Sequence, residues 1–204
     1  MKIRYICMER EYGSGGTEIG NTLARRLGIG CYGREIMEMV AKENETTVEA
    51  LEEYEERVCG SILYSMFVMS QSQTADPDLV SREAKLYVEE AGIIRHLAKS
   101  GPAVFVGHCA CKALEEEDGV LRVFIHGRDA DRQRRAVEQY GIEPRQAAAT
   151  CRRFDHRRDN YYNFCTRQKW SDFRNYDLVL DSSALGIDGC VEALTALWQL
   201  KNKE

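Results

Sequence analysis

Apolar and polar positions along the chain follow two alternating periods. Residues 3–8 form a β-branched and apolar run, which predicts a buried strand. A glycine cluster, Gly13-Ser14-Gly15-Gly16, follows it. Ile19, Leu23 and Leu27 then recur at helical spacing, so residues 17–27 are predicted helix, with Gly28 as the stop. Cys31-Tyr32 reads as a short second strand and residues 34–42 as a helix. From 47 to 100 the pattern is mostly helical, broken near Asp76-Pro77. In the later of these helices Val80, Ala84, Tyr87, Ala91, Ile94 and Ala98 share one face, and Gly101-Pro102 ends it. Residues 103–106 and 120–125 are continuous apolar runs of the kind that buried parallel strands show. A helix is predicted over 130–140, and Pro144 opens a long polar one reaching about Thr166. Residues 178–180 make a last strand, and Val191, Leu194, Leu197 and Trp198 mark a C-terminal amphipathic helix. Strands alternating with helices predict an α/β fold, a parallel sheet covered on both faces.

Composition narrows this picture. The chain has 204 residues, 44% of them hydrophobic and 30% charged, which fits one folded domain with a full core. The formal net charge of −5 argues against non-specific nucleic-acid binding. Much of the positive charge lies between Arg122 and Arg174, which leaves room for a local anion site. The start of the chain lacks the apolar run of a signal peptide, and no segment approaches the ~20 apolar residues that span a bilayer. The expectation is a cytoplasmic protein without membrane partners. Its eight cysteines are then expected to be reduced thiols. His108-Cys109-Ala110-Cys111 has metal-binding residue types, but no second pair stands at zinc spacing. The simpler reading is small apolar residues at a strand end and helix start.

The glycine cluster carries the first chemistry. Backbone N–H groups of such a turn surround phosphate oxygens, and the helix start adds a favourable dipole. Gly13, Ser14, Gly15, Gly16 and Thr17, with Arg10 just before, stand in that strand–loop–helix context. The segment departs from the phosphate-loop pattern G-x-x-x-x-G-K-[ST]. In the natural register Arg10 replaces the first glycine and Gly16 the lysine; a shift by one puts Thr17 at the lysine position. Arg10 or the arginines from Arg128 to Arg135 are candidates for the missing charge. In the first register the Thr17 hydroxyl is the candidate contact to Mg²⁺. The competing reading is a tight turn without a ligand.

Arginines provide the second. Arg128, Arg132 and Arg135 share a helix face after a strand end. Arg153, Arg157 and Arg158 accompany Asp155 and Asp159 on the next helix. Phosphoryl transfer needs positive charge around the moving group, and the planar guanidinium suits it. The alternative is a solvated helix stitched by Asp–Arg pairs worth about 0.3–0.5 kcal/mol each. Tyr161, Tyr162, Phe164 and Trp170 either stack a base or pack this helix on the core.

Taken together, these segments resemble the cytidylate kinase-like family. The resemblance rests on Glu11-Tyr12-Gly13-Ser14-Gly15-Gly16 with Glu18-Ile19-Gly20, and on Val104-Phe105-Val106-Gly107-His108-Cys109-Ala110. It extends through Asp155, Arg158 and Tyr161-Tyr162, Lys169-Trp170, and Asn175-Tyr176-Asp177-Leu178-Val179-Leu180-Asp181 into Leu185-Gly186-Ile187-Asp188-Gly189. It implies a P-loop nucleotide kinase-like three-layer sandwich, a single domain over 1–204 with a five-stranded parallel sheet. A helical insertion at about 34–100 would bind the monophosphate, and a lid at about 143–170 would carry arginines. The implied activity is phosphorylation of CMP or dCMP, with ATP and Mg²⁺ as cofactors. Arg158, Asp155, Arg132 and Arg128 would then serve catalysis, the loop and Arg10 the ATP phosphates, and Arg34 and His108 the acceptor. His108 stands where the family has arginine, and Tyr32-Gly33-Arg34 where it has Tyr-Asp-Lys. A nucleotide-binding regulatory protein without transfer is the alternative, and a metal or redox sensor built on Cys109 and Cys111 a third. The run 62–69 fits either a core helix or a homodimer surface.

Overall fold

Five of the apolar runs become the strands of one sheet. The computed structural model describes residues 2–51 and 82–203. Its strands are β1 (Tyr5–Arg10), β2 (Gly30–Tyr32), β3 (Ala103–Val106), β4 (Val120–His126) and β5 (Leu178–Asp181), in the order β2-β3-β1-β4-β5. All neighbours are parallel, and β1 is central, paired with β3 on one side and β4 on the other. The glycine loop therefore leaves the carboxyl end of the central strand, where open α/β sheets place their ligands.

Alternation along β1 shows why these strands read as continuous apolar runs. Tyr5 and Cys7 point into one core, with Phe105 and Phe124; Ile6 and Met8 point into the other, with Val104, Val123 and Ile125. The first core is covered by α2 (Arg34–Glu43), α3 (Arg82–Lys99) and the short α4 (Ala110–Ala113). Along α3, Leu86, Ala91, Ile93, Ile94 and Ala98 are buried. The second core is covered by α1 (Gly16–Leu27) through Ile19, Leu23 and Ala24, and by α7 (Ser182–Asn202) through Cys190, Val191 and Leu194. Helices α5 (Asp129–Tyr140) and α6 (Pro144–Thr166) pack on one another, and Tyr162 of α6 reaches the first core.

Helix ends follow local chemistry. Gly28 closes α1 in the left-handed region at φ 67, which glycine adopts without strain. The Asp181 carboxylate accepts from the Ser183 N–H at 2.8 Å and caps α7, which bends at Gly186.

Two differences from expectation have physical causes. Strand β1 begins and ends two residues later than the apolar run, since Glu9 and Arg10 continue the pairing with Phe124 and Ile125. Glu9 tolerates burial because it accepts a hydrogen bond from Trp170 Nε1 at 3.1 Å. A 3-10 turn at Phe173–Asn175 has no apolar signature; Asp172 caps it by accepting from the Arg174 N–H. The break near Asp76-Pro77, Val80 and the run 62–69 lie outside the described residues.

At the edge where the strands begin, Ile3 N–H donates to Asn202 Oδ1 at 3.0 Å and Asn202 Nδ2 donates to Ile3 O at 3.1 Å. Among the described residues no helix is long and apolar enough to cross a membrane.

Phe105 is fully buried in the first core, against Tyr5 and Tyr32. Phe105→Ala is expected to lower unfolding stability by about 3–5 kcal/mol, read as a shifted denaturant midpoint with unchanged slope.

Candidate functional site

The loop after β1 is held by its own chain first. Glu11 N–H donates to Ile125 O at 3.0 Å, and Ser14 Oγ donates to Glu11 O at 2.8 Å. Gly13 and Gly15 both sit at left-handed φ, near 79 and 80. A Cβ on Gly13 would lie 2.5 Å from the Arg132 carbonyl oxygen, so both conformation and space require glycine there. The first helical bond of α1 runs from Ile19 N–H to Gly15 O. The N–H groups of Gly16, Thr17 and Glu18 precede it and have no intrahelical acceptor, the arrangement that receives anions at helix starts.

Behind the loop, Arg132 gathers four partners. Its Nε donates to Tyr12 O at 2.9 Å. Its Nη1 lies 3.2 Å from Glu11 and 3.4 Å from Asp129, and its Nη2 donates to Asp155. Asp155 also accepts from the Tyr12 N–H at 2.7 Å. Burial holds the Glu11 carboxyl above its usual value, outweighing the opposing pull of Arg132 and the Gly127 N–H. Tyr12 stacks on Phe154 of α6 with ring centroids 4.4 Å apart. Arg132 and Asp155, two of the sequence candidates for catalysis, are thus brought together as the frame of the loop. Arg128 stands apart: it is exposed at the start of α5, its N–H bonded to Ser183 Oγ at 2.8 Å.

In front of the loop lies a cleft of about 270 Å³, lined by Arg10, Thr17, Arg34, His108, Arg157 and Arg158, with Met37, Phe154 and Tyr161 among its other walls. It unites the loop, acceptor and α6 candidates. Among its lining residues there is no carboxylate. Arg158 Nη1 donates to Arg10 O at 2.9 Å, and its guanidinium lies 5.8 Å from the Tyr12 ring centroid. Burial, then the charge of Arg10, push Arg158 down to about 9. Burial likewise lowers Arg10. Two desolvated cations of like sign favour an anion between them. Arg34 is exposed at the rim and pairs with Glu38 and Glu49.

His108 meets a carboxylate that the sequence reading did not single out. Its Nδ1 lies 2.9 Å from Oε1 of Glu90, which is fully buried in α3 and also accepts from the Tyr161 hydroxyl. His108 and Cys109 are consecutive left-handed residues, at φ 56 and 48. The signal for Glu90 was present: it falls between Tyr87, Ala91 and Ile94, an acid on a buried helix face. Glu9 carried no such signal, because it lies beyond the apolar run 3–8. Tyr162 and Trp170 pack in the core, Trp170 edge-on to Phe124 at 5.1 Å.

A second cavity, of about 250 Å³, lies on the other side of the loop between Gly13, Arg135, Ser182, Ser183 and Gly186. Cys109 and Cys111 are buried, and burial pushes the Cys111 thiol up to about 12. Among the described residues no group of three or more His, Cys, Asp or Glu side chains is arranged to hold a metal.

Comparison with known proteins identifies the family and the fold. The model of the cytidylate kinase-like family matches residues 5–184, and the chain belongs to that family. An uncharacterized protein from Eubacterium ventriosum has a solved structure with a TM-score of 0.72, at 22% identity over 97% of this chain and 99% of its own. Shikimate kinase from Bacteroides thetaiotaomicron has a TM-score of 0.56, at 14% identity over 96% and 98%. A sugar kinase from a Janibacter species has a TM-score of 0.51, at 12% identity over 98% and 96%. At these identities the likeness is one of fold, that of P-loop kinases. No curated protein sequence matches the chain.

Removing the carboxylate of Asp155 leaves Arg132 short of a partner and the Tyr12 N–H without its acceptor. Asp155→Ala is expected to lower stability by about 3 kcal/mol, and Asp155→Asn, which keeps an acceptor for Tyr12, by less. Denaturant unfolding of the two variants measures the difference.

Proposed function

We propose that this member of the cytidylate kinase-like family transfers the γ-phosphoryl group of ATP to a pyrimidine nucleoside monophosphate, CMP or dCMP. The observation that carries the reading is the cleft itself: four arginines and His108, with no carboxylate among its lining residues, at the mouth of a glycine loop. Such a lining suits two phosphate-bearing substrates meeting end to end.

In this reading the N–H groups of Gly16, Thr17 and Glu18 and the start of α1 receive the ATP phosphates. Arg158 neutralises charge on the moving phosphoryl, and Arg34 and His108 hold the acceptor phosphate. The acceptor oxygen is already anionic near neutral pH, so no side chain has to remove a proton. An alcohol such as shikimate or a sugar needs a base, and the lining offers no carboxylate for that task, which favours a phosphate acceptor.

The residues present also fit a magnesium ion in this position. Mg²⁺ leans on substrate phosphates and retained water, and Thr17, which lines the cleft, would contribute its hydroxyl to such a shell. When bound, the ion supplies neutralisation of the β- and γ-phosphate charge.

A second reading, nucleotide binding without transfer, is favoured by one specific feature: Gly16 stands at the lysine position of the loop. Incubation with ATP, Mg²⁺ and a panel of nucleoside monophosphates, shikimate and gluconate separates the two. CDP or dCDP is the expected product. Arg158→Ala is expected to lower turnover by about 10³-fold or more while leaving the unfolding midpoint near its original value. ATP binding without any phosphorylated acceptor would overturn the proposed reaction in favour of the second reading.

A further inference from the structure

We infer that Arg10 supplies the loop charge that lysine supplies in other phosphate loops, reaching the phosphate from the strand below rather than from the helix. The inference deepens the proposed function but rests only on phosphate binding at the glycine loop, not on the acceptor.

The first support is steric. A lysine in the loop rises from the first turn of the following helix. Here that position is Gly16, and a Cβ built on it would lie 2.5 Å from Arg10 Cβ and 2.8 Å from Arg10 Cγ. The Arg10 side chain already fills the space through which a side chain at 16 would emerge. At its far end the guanidinium rests on Gly107, where an added Cβ would come within 2.0 Å of Nη1. Arg10 therefore runs from beneath the start of α1 to the end of β3, with a glycine making room at each end.

The second support is electrostatic. Arg10 Nε is buried with no hydrogen-bond partner among the described residues. Glu9, the carboxylate whose charge favours the Arg10 cation most, is itself occupied by Trp170 Nε1. Another cation, Arg158, is bonded to the Arg10 carbonyl. Desolvated donors without an acceptor are costly, and a fork-shaped cation matches two oxygens of a phosphoryl group. Arg10 and Thr17 line the same cleft, so the missing acceptor has a place to sit.

The test measures binding of MgATP, MgADP and AMP by calorimetry, with thermal unfolding as the check on folding. The proteins compared are the unchanged chain, Arg10→Met and the double variant Arg10→Ala with Gly16→Lys. Arg10→Met keeps the length of the side chain without its charge, and Arg10→Gln replaces it should the methionine variant fail to fold. Loss of a charge-assisted phosphate contact is expected to weaken MgATP binding about 10- to 100-fold, with AMP changed by less than about 3-fold. The double variant, freed of the Arg10 side chain, is expected to recover at least about 10-fold through the lysine. Undiminished MgATP affinity in a folded Arg10→Met protein overturns the inference. So does an equal loss for AMP and ATP, or a folded double variant that recovers nothing. If the unchanged protein binds MgATP but phosphorylates no acceptor, the proposed reaction fails and this inference stands on its own result. If it binds no nucleotide, both fail.

Discussion

One buried guanidinium, that of Arg132, holds the glycine loop in its working shape. Two of the loop glycines take left-handed conformations, and a turn so short has few bonds of its own to enforce them. Arg132 draws Glu11, Tyr12, Asp129 and Asp155 onto one planar group, and its carbonyl closes the space over Gly13. Three of those partners are carboxylates, so negative charge collects behind the loop. Arg10 and Arg158 lie in front, where no lining residue is acidic. The loop thus sits on a boundary between opposite charges, with its positive side toward the cleft.

How much of this was legible in the sequence depends on the distance over which each interaction acts. Most strands and long helices of the described residues follow from local period, because β1 and β3 are buried on both faces and the long helices on one. The arginines were legible as a group, since phosphate chemistry uses their type. Their division of labour was not: Arg132 and Arg158 look alike in sequence, yet one is saturated by carboxylates and the other lines an acid-free cleft. Only the crossing of α5 and α6 over Tyr12 decides which is which. The bond between Glu9 and Trp170 joins residues far apart in the chain and leaves no local trace. Glu90 was legible in principle, as an acid among Tyr87, Ala91 and Ile94. Its partnership with His108 needed the fold.

His108 and Cys109 illustrate a different economy. Successive left-handed residues without glycine are strained, and they persist only where surrounding bonds over-determine them. The Glu90 carboxylate on one side and the buried Cys109 on the other provide that constraint. The result is an imidazole at the wall of the cleft, set by the backbone of the β3–α4 turn rather than by a flexible side chain.

The Ile3–Asn202 pair has a mechanical consequence. Both ends of the described chain meet on the edge where the strands begin, away from the cleft, so anything joined to either end projects from the rear of the sheet. A pulling force applied between them would first part this amide clasp and then load β1. That strand is bonded to neighbours along both sides, so many bonds hold it in place. The strand that anchors the glycine loop is therefore also the one through which tension would enter the molecule.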